Sequence, residues 1–215
     1  LPLEFREDQL DTITVALRDK RRLIKSAVSS GKSAMIYTIT RILLMMKKRV
    51  LIIVPTINLV TQLYDNFKEY SHYNKWDVDK HCHKIFKGAS KITTKPVIIS
   101  TWQSIYDQDA EWFEDFRCLI VDEAHERKVQ IDLLLYLLKQ TCTLRKDFKL
   151  IIMSATVNEQ VFQEYFNDLG YIHFNIGSKT NYPIESIFLN NTEKNYIDKG
   201  FQIINKIMSD GKEGD

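Results

Sequence analysis

Four short stretches of this chain are apolar at every position: Val50 to Val54, Val97 to Ile99, Cys118 to Val121 and Leu150 to Met153. A strand with one face in water alternates apolar and polar residues, so an unbroken apolar run implies a strand covered on both faces. Helical spacing fills the intervals, over Leu59 to Tyr70, Ile131 to Leu138 and Val161 to Phe166. Leu10, Ile13, Thr14 and Leu17 trace a first helix, Leu23 to Lys25 a short strand, and Met35, Ile36, Ile39, Ile42, Leu43 and Met46 one face of a further helix. Strands alternating with helices predict an α/β fold, with right-handed crossovers and a mostly parallel sheet carrying helices on both faces.

In such sheets ligands gather at the carboxyl ends of the strands. Polar segments follow the strands at five places: Ser26 to Ser33, Pro55-Thr56, Ser100-Thr101-Trp102, Asp122-Glu123 and Ser154-Ala155-Thr156. The first, with Ser29, Ser30, Gly31, Lys32 and Ser33, has the pattern of a phosphate-binding loop. Its backbone N–H groups and the helix start behind it can wrap polyphosphate oxygens. Lys32 would reach the β- and γ-phosphates, and Ser33 offers a hydroxyl to Mg²⁺. Asp122 would hold the same ion, directly or through water. Glu123, also an acidic candidate at the metal, is placed to accept a proton from an attacking water. His125 is expected to link the site to neighbouring elements.

With 215 residues, 44% of them apolar, the chain can bury a substantial core. Thirty basic residues against 28 acidic ones leave a formal charge of +2, so any nucleic-acid surface must be local. Apolar stretches such as Leu133 to Leu138 are far too short to span a bilayer, and no charged-then-apolar leader opens the chain. Cys82, Cys118 and Cys142 are odd in number and widely spread, which argues against a disulfide framework. These features predict an intracellular protein, cytoplasmic or nuclear, with no membrane partner. His81-Cys82-His83 lacks a second ligand pair at zinc spacing, so no structural zinc is expected. Tyr70, Tyr73 and Trp76, near Lys75 and Lys80, read equally as an auxiliary nucleic-acid patch or as packing anchors.

Taken together, Ser26 to Ser33, Asp122-Glu123-Ala124-His125 and Ser154-Ala155-Thr156 resemble motifs I, II and III of superfamily 2 helicases, over almost the whole chain. From Ile120 onward the likeness is to the DEAH/RHA group, through Glu126-Arg127, Lys149 to Thr156 and Tyr182-Pro183-Ile184-Glu185. The earlier half looks like phage UvsW-type repair translocases, through Phe5-Arg6-Glu7-Asp8-Gln9, Val54-Pro55-Thr56, Gly88-Ala89-Ser90 and Thr101-Trp102-Gln103.

This resemblance implies a RecA-like P-loop domain over 1–190, with 191–215 as the linker and first helix leading into a second RecA-like domain. It implies ATP and Mg²⁺ as ligands, Gln9 and Arg6 at the adenine edge, and Ser154 and Thr156 coupling hydrolysis to movement. Strand contact falls on Pro55 and Thr56 with Thr61 and Gln62, on Lys87 and Gly88, and on Ser100 to Gln103. Trp102 there either stacks on a base or packs on the sheet edge. Nucleic acid is the implied partner, DNA favoured over RNA because the strand-facing segments are the phage-like ones, which also admits a viral or phage origin. The phosphate loop departs from the pattern: Ser26, Ser29 and Ser30 stand where glycine or alanine is common, and only Gly31 relieves backbone strain. Weaker binding, or a loop held open until nucleotide and partner domain arrive, is expected.

Two other functions fit the phosphate loop. A small-molecule kinase would need an acceptor pocket and an arginine-bearing lid, for which nothing between Lys32 and Asp122 speaks. A nucleotide-gated binding module without unwinding activity would not need Glu123.

Overall fold

The computed structural model describes residues 4–26, 30–86, 88–124, 129–155, 159–169, 172–176 and 195–209. The backbone divides into two compact units, Leu1–Ser178 and Lys179–Asp215.

The first unit opens with α1 (Glu7–Arg18), β1 (Arg21–Ser26), α2 (Lys32–Met45), β2 (Arg49–Ile53) and α3 (Ile57–Ser71). It continues with α4 (Val78–His81), β3 (Cys82–Ile85), β4 (Val97–Ser100), α5 (Ala110–Glu114), β5 (Phe116–Val121), α6 (Val129–Leu144), β6 (Lys149–Ser154), α7 (Glu159–Phe166) and β7 (Ile172–Ile176). The sheet order is β3-β4-β2-β5-β6-β1-β7, and each of the six pairings is parallel.

Successive side chains of a strand point to opposite faces, and this chain builds a core on each. Ile24, Ile52, Ile120 and Ile151 lie in one buried cluster with Ile13, Met35, Ile39, Val60 and Phe67 of α1, α2 and α3. Their neighbours Leu23, Leu51, Leu119 and Leu150 lie in another with Leu134, Leu138, Phe162 and Phe166 of α6 and α7. The unbroken apolar runs are therefore the signature of a sheet sandwiched between two helical layers. Because the strands are parallel, Ser26, Ser100 and Ser154 share one edge of the sheet, with Asp122 just past β5; the three serines are fully buried there.

The helices start where the sequence supplies caps. The Thr56 hydroxyl accepts from the Leu59 N–H at 3.3 Å to open α3, and Asp109 does the same for Trp112 at 2.9 Å in α5. Gln9 accepts from the Arg6 N–H at 2.9 Å at the head of α1.

In the second unit the described element is α8 (Tyr196–Ser209), whose stripe Ile197, Phe201, Ile204 and Ile207 is largely exposed. The sequence of the polar tail Ser209 to Asp215 predicts loose structure, and 210–215 lie outside the described residues. No helix among the described residues is long and apolar enough to cross a membrane.

Candidate nucleotide site and nucleic-acid groove

The loop after β1 closes on Gly31, which caps α2 in the left-handed conformation at φ +79°. A Cβ at this position would strain the backbone at that positive φ and approach the Gln9 side-chain nitrogen to 2.5 Å, so any other residue would also have to displace the Gln9 amide. Gln9 Nε2 donates to the Ser30 carbonyl at 2.7 Å, and Arg6 Nη2 reaches the same oxygen at 3.4 Å. Ser26 and Ser30 share a hydrogen bond between their hydroxyls. Arg6 and Gln9, expected at a base edge, thus also fasten the head of α1 to the loop. Ser29 lies outside the described residues.

Opposite the loop, the turn after β5 carries the acidic pair. The Asp122 N–H donates to the Ile53 carbonyl at 2.9 Å and the Ala124 N–H to the Met153 carbonyl at 3.4 Å, tying the turn to β2 and β6. Glu123 between them adopts φ +54°, which costs a non-glycine residue about 1–2 kcal/mol. Its N–H donates to Asp122 Oδ1 at 3.0 Å. Lys32 Nζ bonds Glu123 Oε1 in a partly buried ion pair. Burial pushes the Asp122 carboxyl up to about 6; Lys32 opposes that rise and the Glu123 charge reinforces it.

Gly31, Lys32, Ser33, Gln62, Asp122 and Glu123 line one cleft of about 370 Å³. Its hydroxyl and carboxylates are hard oxygen donors, a set that suits Mg²⁺. Among the described residues no group of three or more His, Cys, Asp or Glu converges as a closed ligand cage. An ion taking its remaining ligands from water and phosphate matches that sparse set, and a half-buried carboxylate held above its ordinary value gains from such a cation.

A second cleft, of about 590 Å³, brings together Pro55, Thr56, Gly88, Thr101 and Gln103 with Lys91 and Asp107. Gly88 has φ +86°, and the Thr101 and Ser104 hydroxyls are 2.8 Å apart. Gln62, expected on this track, and Trp102, read as either stacking on a base or packing on the sheet edge, line other cavities. Gln62 faces the phosphate-loop cleft. Trp102 lines an apolar cavity with Phe113, Leu134 and Leu138 and packs against the buried cluster beneath α6. Ser154 ends β6, fully buried, in register with Lys25 of β1. His125, Thr156 and Lys87 lie outside the described residues.

The His81-Cys82-His83 run spans the end of α4 and the start of β3. The Cys82 thiol is buried and pushed up to about 12 by that burial, His83 Nε2 meets the Ser90 carbonyl at 2.7 Å, and His81 stacks on Trp76. One contact had no counterpart in the sequence reading: the Ser33 and Tyr70 hydroxyls are 2.8 Å apart. Leu59, Gln62, Leu63, Asn66 and Tyr70 recur at helical spacing along α3, but that spacing does not name Ser33 as the partner of Tyr70.

The family profile described as DEAD/DEAH box helicase matches residues 6–164. The chain is 34% identical over 122 residues to the ATP-dependent DNA helicase UvsW of Enterobacteria phage T4, covering 54% of this chain and 24% of that protein. It is 36% identical over 104 residues to the ATP-dependent RNA helicase HrpA of Borreliella burgdorferi, covering 47% of this chain and 12% of that protein. The match thus spans about a quarter or less of either relative's length. The crystal structure of the T4 UvsW helicase superposes with a TM-score of 0.63 at 25% identity, covering 80% of this chain and 60% of that one. The chain belongs to the DEAD/DEAH box helicase family, as the N-terminal RecA-like domain of a superfamily 2 helicase.

Proposed function

We propose that this chain is the first ATPase lobe, over 1–190, of a helicase or translocase that couples Mg-ATP hydrolysis to movement on nucleic acid, with 191–215 leading into a second lobe of the same parent. The convergence of Lys32, Ser33, Asp122 and Glu123 on one cleft supports this reading. Lys32 holds the β- and γ-phosphates, exchanging its pairing with Glu123 for theirs. Glu123 orients a water and accepts its proton. Ser33 and Asp122 hold the magnesium ion, with Glu123 beside it, and the helix start at Gly31 offers N–H groups to phosphate oxygens. When bound, the ion neutralises charge on those oxygens. Arg6 and Gln9 meet the base at one end of the nucleotide while fixing the Ser30 carbonyl. Ser154 and Thr156, with His125, relay the nucleotide state.

The groove lined by Pro55, Thr56, Gly88 and Thr101 takes the strand through backbone and hydroxyl contacts to phosphate, which grip without reading sequence. Gln62 and Trp102, proposed from the resemblance to touch the strand, line the phosphate-loop cleft and the apolar cavity beside α6, respectively. DNA is the favoured strand: the groove residues fall in the half of the chain that resembles phage repair translocases, although the relatives include both DNA and RNA helicases.

ATP turnover by the intact parent with matched DNA and RNA oligonucleotides, across salt concentrations, tests the reading. Nucleic acid should stimulate turnover, DNA more than RNA. The 215-residue chain alone should turn over roughly 10³-fold or more slowly, because arginines from the second lobe are lacking. Equal turnover with and without nucleic acid in the parent would contradict it.

A further inference from the structure

The hydroxyl assigned to the cation is not left to rotate. Ser33 stands in the first turn of α2, lining the cleft with Asp122 and Glu123, and its Oγ lies 2.8 Å from the Tyr70 hydroxyl near the end of α3. Tyr70 is not among the residues lining that cleft; it belongs to the neighbouring cavity formed with Phe5, Tyr37 and Asn74. It therefore meets Ser33 from behind.

Tyr70 is itself held. Its ring packs edge-on to Tyr37 at 5.6 Å. The Tyr37 hydroxyl accepts from Arg41 at 3.0 Å and from Asn74 Nδ2 at 2.8 Å. Arg41 in turn lies over the Trp76 ring at 4.8 Å. Of the aromatic residues read from sequence as a nucleic-acid patch or as packing anchors, Tyr70 and Trp76 pack on Tyr37 of α2, and Tyr70 is the one among them with a polar contact to the nucleotide cleft among the described residues.

A serine hydroxyl has one proton and two lone pairs. A ligating hydroxyl has to turn a lone pair toward the cation and its proton away from it, and an acceptor behind the ligand fixes that orientation. On the functional reading given above, we infer that Tyr70 is a positioning residue for the cation: its phenol oxygen accepts the Ser33 proton and fixes the hydroxyl with its lone pairs toward the cleft.

The test is the affinity of the chain for a non-hydrolysable fluorescent ATP analogue, measured with Mg²⁺ and with EDTA. Tyr70→Phe keeps the ring and its packing on Tyr37 and removes only the oxygen. It should weaken binding with Mg²⁺ about threefold to tenfold, while leaving binding in EDTA and the melting temperature unchanged. Ser33→Ala should show the same magnesium-selective loss, and the double variant should lose no more than Ser33→Ala alone, since the two oxygens act as one unit.

Additive losses, an equal loss in EDTA, or unchanged or tighter binding by Tyr70→Phe would overturn the assignment. Lys32→Ala separates this from the underlying reading. If it binds nucleotide as wild type does, the site itself is misassigned; if it loses binding while Tyr70→Phe is silent, only the role of Tyr70 falls.

Discussion

Among single residues, the half-buried carboxylate of Asp122 is central to the site. Asp122 is held at about 6 against an ordinary 3.8, chiefly by burial. Between those values the folded chain keeps a proton that the unfolded chain has released. The stability this lends is complete below about pH 4 and is lost as the pH rises through about 6. At neutral pH the ionised group is a net cost to the nucleotide-free fold. Asp122→Asn should therefore raise its unfolding free energy at pH 7.5 by about 1–3 kcal/mol and flatten the decline between pH 4 and 7, as read by urea titration across pH. A variant less stable than wild type at pH 7.5 would show that the carboxylate is satisfied within the fold. The acidic pair announced itself in sequence by following an apolar run. Tyr70 did not, because its partner Ser33 lies 37 positions away and only the packing of α2 on α3 brings them together. Trp102 was undecided for a related reason: a tryptophan after a strand end can serve a ligand or a core, and the choice depends on α6.

Among the elements, α1 with its capping residue brings Gln9 and Arg6 to the Ser30 carbonyl. Its far end is fastened by Lys149, the first residue of β6. The buried ammonium donates to the carbonyls of Ala16 at 2.8 Å and Leu17 at 3.0 Å, and to that of Asp19. Lys149→Met would leave those carbonyls without their donor. It should lower stability by about 1–3 kcal/mol, seen as a lower urea midpoint at unchanged slope; an unchanged midpoint would show that water caps α1 equally well. The interior strands were legible because they are sealed on both faces. The two strands that sequence reading passed over, β3 and β7, are the edges of the sheet. Cys-His-Lys-Ile and Ile-His-Phe-Asn-Ile mix polar with apolar residues, as edges do, so neither carries the unbroken apolar run that marks the interior strands.

For the whole molecule, parallel pairing places the carboxyl ends of all seven strands on one edge of the sheet, and two clefts open there. One is lined by the phosphate loop and the acidic pair, the other by Pro55, Thr56, Gly88 and Thr101. Helix α3 joins them: Thr56 caps it beside the second cleft while Gln62 faces the first. A motor needs nucleotide state and strand grip to be mechanically connected, and one short helix reaching both clefts meets that need. The claim on which this rests is that Lys32, Ser33 and Asp122 bind one metal-nucleotide complex. Diffraction from crystals of the chain grown with Mn²⁺ and a non-hydrolysable ATP analogue tests it directly. The account predicts an anomalous peak within coordination distance of Ser33 Oγ and Asp122, with the terminal phosphates against Lys32. A peak elsewhere, or a bound nucleotide with Lys32 still paired to Glu123, would contradict it.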